Sequence, residues 1–511
     1  MLTTSVQHFM SMVFAKLKFS SILLSYALLA ADGARAIQQE PLSQGSLQNF
    51  APFGSLDALS STEFTTLRHP LVPAYGMRVK KSKEFCDGTV NAYTGYIDIS
   101  TRHLFFYFFE SRRDPKKDDV IFWTNGGPGC SSTTGLFMEL GPCRVTSVNE
   151  TIFNPYSWNE VANTIFIDQP IGTGFSYADF GEYVSTTEEA AADIAAFMFL
   201  FFQHFVTFTG RALHMAGESY AGRMIPTFAS YIYEQNKRLI ENGATPVNLK
   251  SIMLGNGCTD WLTMLPSFYN VGCEHHSAPP VIDISTCVHL KRILPQCEKG
   301  LKDACYDTTD SINCQAAWNF CSQLAFAYDK TGYNPYDITK KCEGDYKDTM
   351  CYPITKDISS FLSQPSVRET IGIDEHPSIP QNYSGCTRPI HDRFWDGLDQ
   401  VLPAHLYIEQ LLARDIRVLI YAGDVDWICN WIGNERMTLR LDWAGKEAFA
   451  SQPLREWNVT SDSDEAYAAG MTRSEGLLTY ATIHGGGHMA PYDRPRESLE
   501  LVKRWLNGEQ L

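Results

Sequence analysis

The stretch Gly217-Glu218-Ser219-Tyr220-Ala221-Gly222 seats one serine between two glycines, directly behind a strand-like run from Arg211 to Ala216. Between a strand and a helix, such a serine is forced onto a sharp turn that exposes its hydroxyl as a nucleophile, and the glycines remove side chains that would collide there. Taken alone, the pattern also describes an ordinary tight turn. A serine hydroxyl attacks only when a base takes its proton, so a histidine and an orienting carboxylate are needed further on. Arg417 to Asp426 reads RVLIYAGDVD, a strand ending in a loop with two aspartates, and Thr482 to Pro491 reads TIHGGGHMAP. His488 follows three glycines and can swing over the serine, so it is the preferred base. His484 ends the strand pattern and is expected to be a packed core histidine. Spacing does not separate Asp424 from Asp426.

A third segment, Trp123-Thr124-Asn125-Gly126-Gly127-Pro128-Gly129-Cys130-Ser131-Ser132, follows an apolar strand. Clustered glycines let backbone N–H groups approach a reacting oxygen, which makes this loop a candidate oxyanion hole. A phosphate loop would carry Lys-Ser or Lys-Thr next, and none follows. Glu218 raises a separate question, because a carboxylate beside a nucleophile repels anionic substrates.

These segments must be held by a large core. The chain has 511 residues, 44% hydrophobic and 20% charged, and a formal net charge of −16. That balance disfavours nucleic acid and anionic membrane surfaces and suits an acidic compartment. β-branched runs at Asp119 to Thr124, Thr164 to Asp168, Leu213 to Ala216, Ser251 to Leu254, Arg417 to Ala422 and Leu478 to Ile483 alternate with helical patterns. They predict an α/β core with a largely parallel sheet. The apolar run FMFLFF (Phe197 to Phe202) belongs to an amphipathic helix opened by a capping box at Ser185-Thr186-Thr187-Glu188.

Residues 1–36 read as a signal peptide: Lys16 and Lys18 precede the apolar run Ile22 to Ala31, with cleavage expected near Ala36. Residues 37–82 are expected to be an N-terminal arm or pro-segment. An α/β core follows in two halves, 83–257 and 356–511, around an inserted cap at 258–355 that holds most of the fourteen cysteines. Behind a signal peptide these imply disulfides, and their spacing does not suit zinc. Sequons at Asn149, Asn382 and Asn458 fit the secretory route.

WTNGGPGCSS, GESYAG, GDVDWICNWIGN and GGGHMAP, in that order, resemble the motifs of the serine carboxypeptidases, in the branch of carboxypeptidase Y and cathepsin A. The likeness runs from about Tyr93 to Trp505 and includes FNPYSWNEVANTIFIDQPIGTGFSY. It implies an α/β-hydrolase fold with a central, mostly parallel sheet and an inserted disulfide-rich cap. It also implies Ser219 as nucleophile, His488 as base and Asp426 as the catalytic acid, with Gly127 and Tyr220 supplying oxyanion N–H groups. The substrate's terminal carboxylate would be bound by Asn125, the Gly126 amide, Glu139 and Glu218. Two buried carboxyls side by side share a proton and can donate a hydrogen bond to that carboxylate.

By the same resemblance, Cys130 pairs with Cys386, Cys273 with Cys287, Cys297 with Cys321, Cys305 with Cys314, and Cys342 with Cys351, while Cys429 matches a free thiol. Cys86 with Cys143 makes a reasonable additional bridge, and Cys258 is left unassigned. The implied activity is acid-active release of C-terminal amino acids from peptides and proteins, through an acyl-enzyme, with no cofactor and no metal. Acyl transfer on the same fold, or a protective scaffold for other hydrolases, are the alternative readings. No nucleic acid and no membrane anchor are expected; the protein would be a monomer or homodimer, delivered to the vacuole or lysosome or secreted.

Overall fold

Two-sided burial decides the centre of the fold. Val120–Thr124 (VIFWT), Asn163–Ile167 (NTIFI), Arg417–Gly423 (RVLIYAG) and Leu478–Ile483 (LTYATI) are buried almost throughout, the pattern of strands covered on both faces. Successive residues point to opposite sides: Val120 and Phe122 enter one apolar core, Ile121 and Trp123 the other. The computed structural model describes residues 50–511 together with Leu47, apart from 87, 180, 309 and 345. The expected signal peptide and the first part of the arm lie outside the described residues.

Twelve strands of the main sheet are numbered in chain order: β1 Thr65–Arg68, β2 Tyr75–Lys81, β3 Ala92–Ile99, β4 Arg102–Phe109, β5 Val120–Thr124, β6 Asn163–Ile167, β7 Ala212–Ser219, β8 Asn248–Gly257, β9 Arg417–Gly423, β10 Arg455–Thr460, β11 Ala466–Glu475 and β12 Leu478–Ile483. Their spatial order is β1-β2-β3-β4-β6-β5-β7-β8-β9-β12-β11-β10, and the short strand Tyr177–Ala178 pairs with β4. The six strands from β6 to β12 in that order run parallel. Antiparallel wings flank them. Helices Thr187–His204 and Ala221–Glu241 cover one face; Ile354–Ser363 and Pro495–Asn507 pack on the other. This is the α/β-hydrolase architecture.

Three sequence expectations change. From Thr65 onward the expected arm is sheet edge: Met77 and Val79 of β2 are buried, and Arg78 pairs with Asp98 and Asp374, both at 2.8 Å. The charges of Arg78 and Lys80 break the apolar run that would have marked a strand. The capping box of helix Thr187–His204 lies one residue later than expected, joining Thr186 and Glu189. Glu188 is thereby free to pair with Arg223, at 2.5 Å. Cys429 is not a free thiol, because it is bridged to Cys258.

The other bridges are Cys86–Cys143, Cys130–Cys386, Cys273–Cys287, Cys297–Cys321, Cys305–Cys314 and Cys342–Cys351. The last four staple the insertion between β8 and β9, whose helices Trp261–Cys273, Ile284–Leu301 and Ser311–Cys321 form a small core of their own with Trp261, Phe268, Trp318 and Trp427. Past it, Ile358, Phe361 and Leu362 rejoin the main core.

Candidate active site

The carboxyl ends of β5, β7, β8, β9 and β12 are adjacent in the sheet, and the chemistry-bearing residues leave from them. β7 ends at Ser219, which takes a left-handed φ of 67°, and helix Ala221–Glu241 starts two residues later. A non-glycine residue there is strained, and such strain is characteristic of an exposed nucleophile on a strand-to-helix elbow. The turn is tight enough that a Cβ on Gly222 would lie 2.5 Å from Thr259 Oγ1 and 2.8 Å from the Gly257 Cα.

Asp426 follows β9 and is fully buried; His488 follows β12 and is 2% exposed. His488 Nδ1 lies 2.8 Å from Asp426 Oδ2. The same carboxylate accepts from Asn256 Nδ2 at 2.9 Å and from the N–H groups of Ile428 and Cys429 at 2.9 and 3.1 Å. Four donors therefore hold it in one orientation, and its bond to Nδ1 leaves the far ring nitrogen, Nε2, to act as a base. The His488 backbone N–H donates to the Tyr336 carbonyl at 2.7 Å, and the two rings pack 5.2 Å apart. The Ser219 hydroxyl makes no hydrogen bond to His488 in this structure, a contact that is commonly long in unliganded enzymes.

Asp424 and His484 form a second, separate pair at 2.8 Å. Here the expectation is corrected: the His484 side chain is 43% exposed rather than packed in the core, and its bond to Asp424 raises its pKa. Residues Asp424 and Asp426 each take the histidine on their own side of the loop.

The candidate oxyanion loop packs against this elbow. A Cβ on Gly126 would sit 2.3 Å from the Tyr220 nitrogen, so only glycine allows the two backbones to meet. Among the described residues nothing accepts from the N–H groups of Gly127 or Tyr220. Tyr220 is fixed from its other end, where its hydroxyl donates to Asp399 Oδ2 at 2.6 Å. Cys130–Cys386 and the bond from the Thr387 N–H to the Gly129 carbonyl, 2.8 Å, hold the loop's far side.

Asn125 Oδ1 accepts from Trp123 Nε1 and from the Gly135 N–H, both at 2.9 Å, which turns its NH2 group toward two glutamates. Asn125 Nδ2 lies 3.3 Å from Glu139 Oε1 and 3.4 Å from Glu218 Oε1. Glu139 closes a π-helical turn, Gly135–Glu139, and is fully buried; Glu218 is 2% exposed. Burial raises the pKa of Glu139, and burial followed by the charge of Glu139 pushes Glu218 well above the usual carboxylate range. The pair therefore retains a proton where ordinary glutamates lose theirs. Glu139 Oε2 accepts from no protein N–H or hydroxyl among the described residues.

Sequence reasoning missed three supporting residues. Asn256 bridges Asp426 and the Gly423 N–H, the latter at 3.1 Å; its signal was an asparagine between two glycines at a strand end, Gly255-Asn256-Gly257. Tyr336 and Asp399 lie far from the motifs in sequence and carry no local signal.

The model of the serine carboxypeptidase family matches residues 85–508. The chain is 41% identical over 442 residues to a carboxypeptidase Y homolog A from Talaromyces stipitatus, an alignment spanning 85% of this chain and 76% of the relative. It is 41% identical over 442 residues to the carboxypeptidase Y homolog A of Aspergillus fumigatus, with 85% and 78% covered. Among solved structures it resembles a prohormone-processing carboxypeptidase of Saccharomyces cerevisiae, with a TM-score of 0.69 and 26% identity over 82% of this chain and 92% of that one. The chain belongs to the serine carboxypeptidase family and is a serine-type carboxypeptidase.

Proposed function

We propose that Ser219, His488 and Asp426 are the catalytic triad of an acid-active carboxypeptidase that removes residues singly from peptide and protein C-termini. Ser219 Oγ attacks the last peptide carbonyl while His488 Nε2 takes its proton. The Gly127 and Tyr220 N–H groups receive the developing oxyanion. His488 then protonates the departing amino acid, and water activated by the same imidazole releases the shortened peptide from the acyl-enzyme.

The observation that carries the exopeptidase reading is the buried Asn125–Glu139–Glu218 cluster beside the elbow. The Asn125 amide, the Gly126 N–H and the proton shared by the glutamates would be donors for one carboxylate. A chain end places its α-carboxylate at one fixed distance from the last peptide bond whatever the side chain. The solvent-exposed side chains of Asn149, Asn382 and Asn458 suit glycosylation, and with seven disulfides they favour passage through the secretory pathway to a vacuole, lysosome or the exterior. No described helix is long and apolar enough to cross a membrane.

The test is release of the C-terminal residue from a blocked dipeptide and from its C-terminal amide, at acidic and neutral pH, by wild type and Ser219→Ala. Loss of all hydrolysis in Ser219→Ala, with the free acid losing ground to the amide as pH rises, is the expected result. Hydrolysis surviving in Ser219→Ala would remove the proposed nucleophile.

A further inference from the structure

The Cys258–Cys429 bridge joins the loop after β8, which is hydrogen-bonded to the turn of the proposed nucleophile, to the loop after β9 that carries the proposed acid. Cys258 directly follows β8, and its backbone N–H donates to the Ser219 carbonyl at 2.9 Å. Cys429 lies just past Asp426, and its backbone N–H donates to Asp426 Oδ2 at 3.1 Å. Each end of one covalent link is thus hydrogen-bonded, through its own peptide group, to a different triad residue. Asn256 reinforces the arrangement, reaching the same Asp426 oxygen at 2.9 Å. Both cysteines are buried, 4% and 0% exposed, with Cα atoms 5.1 Å apart.

The remaining bridges have other geometry. Four close short loops of the insertion, Cys86–Cys143 closes a loop of 57 residues before it, and Cys130–Cys386 holds the far side of the oxyanion loop. Cys258–Cys429 spans 171 residues and ties neighbouring strand ends together at the catalytic edge of the sheet. We infer that this disulfide is a positioning element for the reaction, fixing the spacing between the Ser219 elbow and the Asp426 loop. The inference rests on the triad reading. A bridge closing so long a loop also stabilises the fold by restricting the unfolded chain, so the test must separate placement from stability.

Cys258→Ala, Cys429→Ala and the double variant are compared with wild type, well below their melting temperatures, for kcat and KM on a blocked dipeptide and for the rate at which a fluorophosphonate labels Ser219. Small misplacement of reacting groups costs rate rather than binding, so kcat and the labelling rate should both fall by roughly 10- to 100-fold, with KM changed by less than about 3-fold. A mercurial should leave wild type active and inactivate Cys258→Ala, whose Cys429 thiol is then uncovered beside Asp426.

Should the variants fail to fold, wild type is treated with a trialkylphosphine. That reagent opens a disulfide to two thiols and is itself oxidised to the phosphine oxide with oxygen from water. Mass-spectrometric mapping of the alkylated thiols should show activity declining in step with the opening of Cys258–Cys429. Folded variants with wild-type kcat and labelling rate, or full activity in molecules whose bridge is open, would overturn the inference. Activity retained by Ser219→Ala would instead refute the triad itself.

Discussion

Glu218→Gln tests the link between the buried carboxyl pair and the chain end. The Asn125 amide stands 3.3 and 3.4 Å from the two glutamates, so a substrate carboxylate bonded to that amide comes within about 4 Å of the pair. While the pair keeps its shared proton it donates a hydrogen bond; once the proton leaves, an additional negative charge faces the ligand. At an effective dielectric near 20, that repulsion is about 4 kcal/mol, roughly a 10³-fold loss of binding. Because the proton is held above the ordinary carboxylate range, binding is strongest on the acid side and fades as pH rises through the raised value. KM for a peptide acid should then climb by about tenfold per pH unit, the slope of a single proton. Glutamine keeps a donor and removes the titration, so in Glu218→Gln the climb should flatten while kcat changes little. The assay is steady-state hydrolysis of a blocked dipeptide and its amide across the pH range, the amide serving as the uncharged control. An unchanged slope in Glu218→Gln, or an equal slope for the amide, would refute the reasoning.

Asn256→Ala removes a donor to Asp426 and the acceptor for the Gly423 N–H; leaving such groups unpaired costs about 1–3 kcal/mol, and kcat should fall by roughly 10- to 100-fold with KM nearly constant in steady-state assays. Asp399→Ala strips the partner of the Tyr220 hydroxyl and of the Thr187 N–H, 2.9 Å, and leaves Glu188 as the carboxylate paired with Arg223; urea unfolding should show a loss of about 3–5 kcal/mol. Burial lifts Asp168 and Asp193 to about 7 each. The native state therefore binds more protons than the unfolded chain between the ordinary carboxylate range and that value. Stability is greatest on the acid side and falls by up to about 1.4 kcal/mol per pH unit for each group as pH rises. In Asp168→Asn, urea unfolding at a series of pH values should show that slope reduced by one group's share.

The parallel centre of the sheet was legible because two-sided burial writes long β-branched runs. Its antiparallel edge was not, since β2 alternates Met77 and Val79 with Arg78 and Lys80, whose charges are answered by residues such as Asp374 that are distant in sequence. Glycine context pointed directly to Ser219 and His488 as candidates. The Asp424 or Asp426 question was undecidable from spacing because both aspartates have a histidine: the loop after β9 presents one to exposed His484 and the other to buried His488. Only the motif resemblance distinguished them. Glu139 was singled out the same way, since no periodicity announces that a turn after the glycine-rich loop will bring its last residue to the Asn125 amide that Glu218 also faces. The pairing of Cys258 with Cys429 required knowing that β8 and β9 are neighbours, which is topology rather than pattern.

The strand order has a bearing on when the enzyme comes into being. The elbow is made when β7 meets β5 and β8, but the proposed acid, Asp426, waits on β9, and the proposed base, His488, arrives only with β12, last of the sheet's described strands in the chain. Neither strand finds its place until the stapled insertion between β8 and β9 has been passed. On the proposed triad, a nascent chain folding in order would display its glycine-rich loop and its strained serine long before it could cleave anything, its own unfinished siblings included. Onset of hydrolysis in a refolding experiment thus serves as a clock for closure of the sheet's catalytic edge.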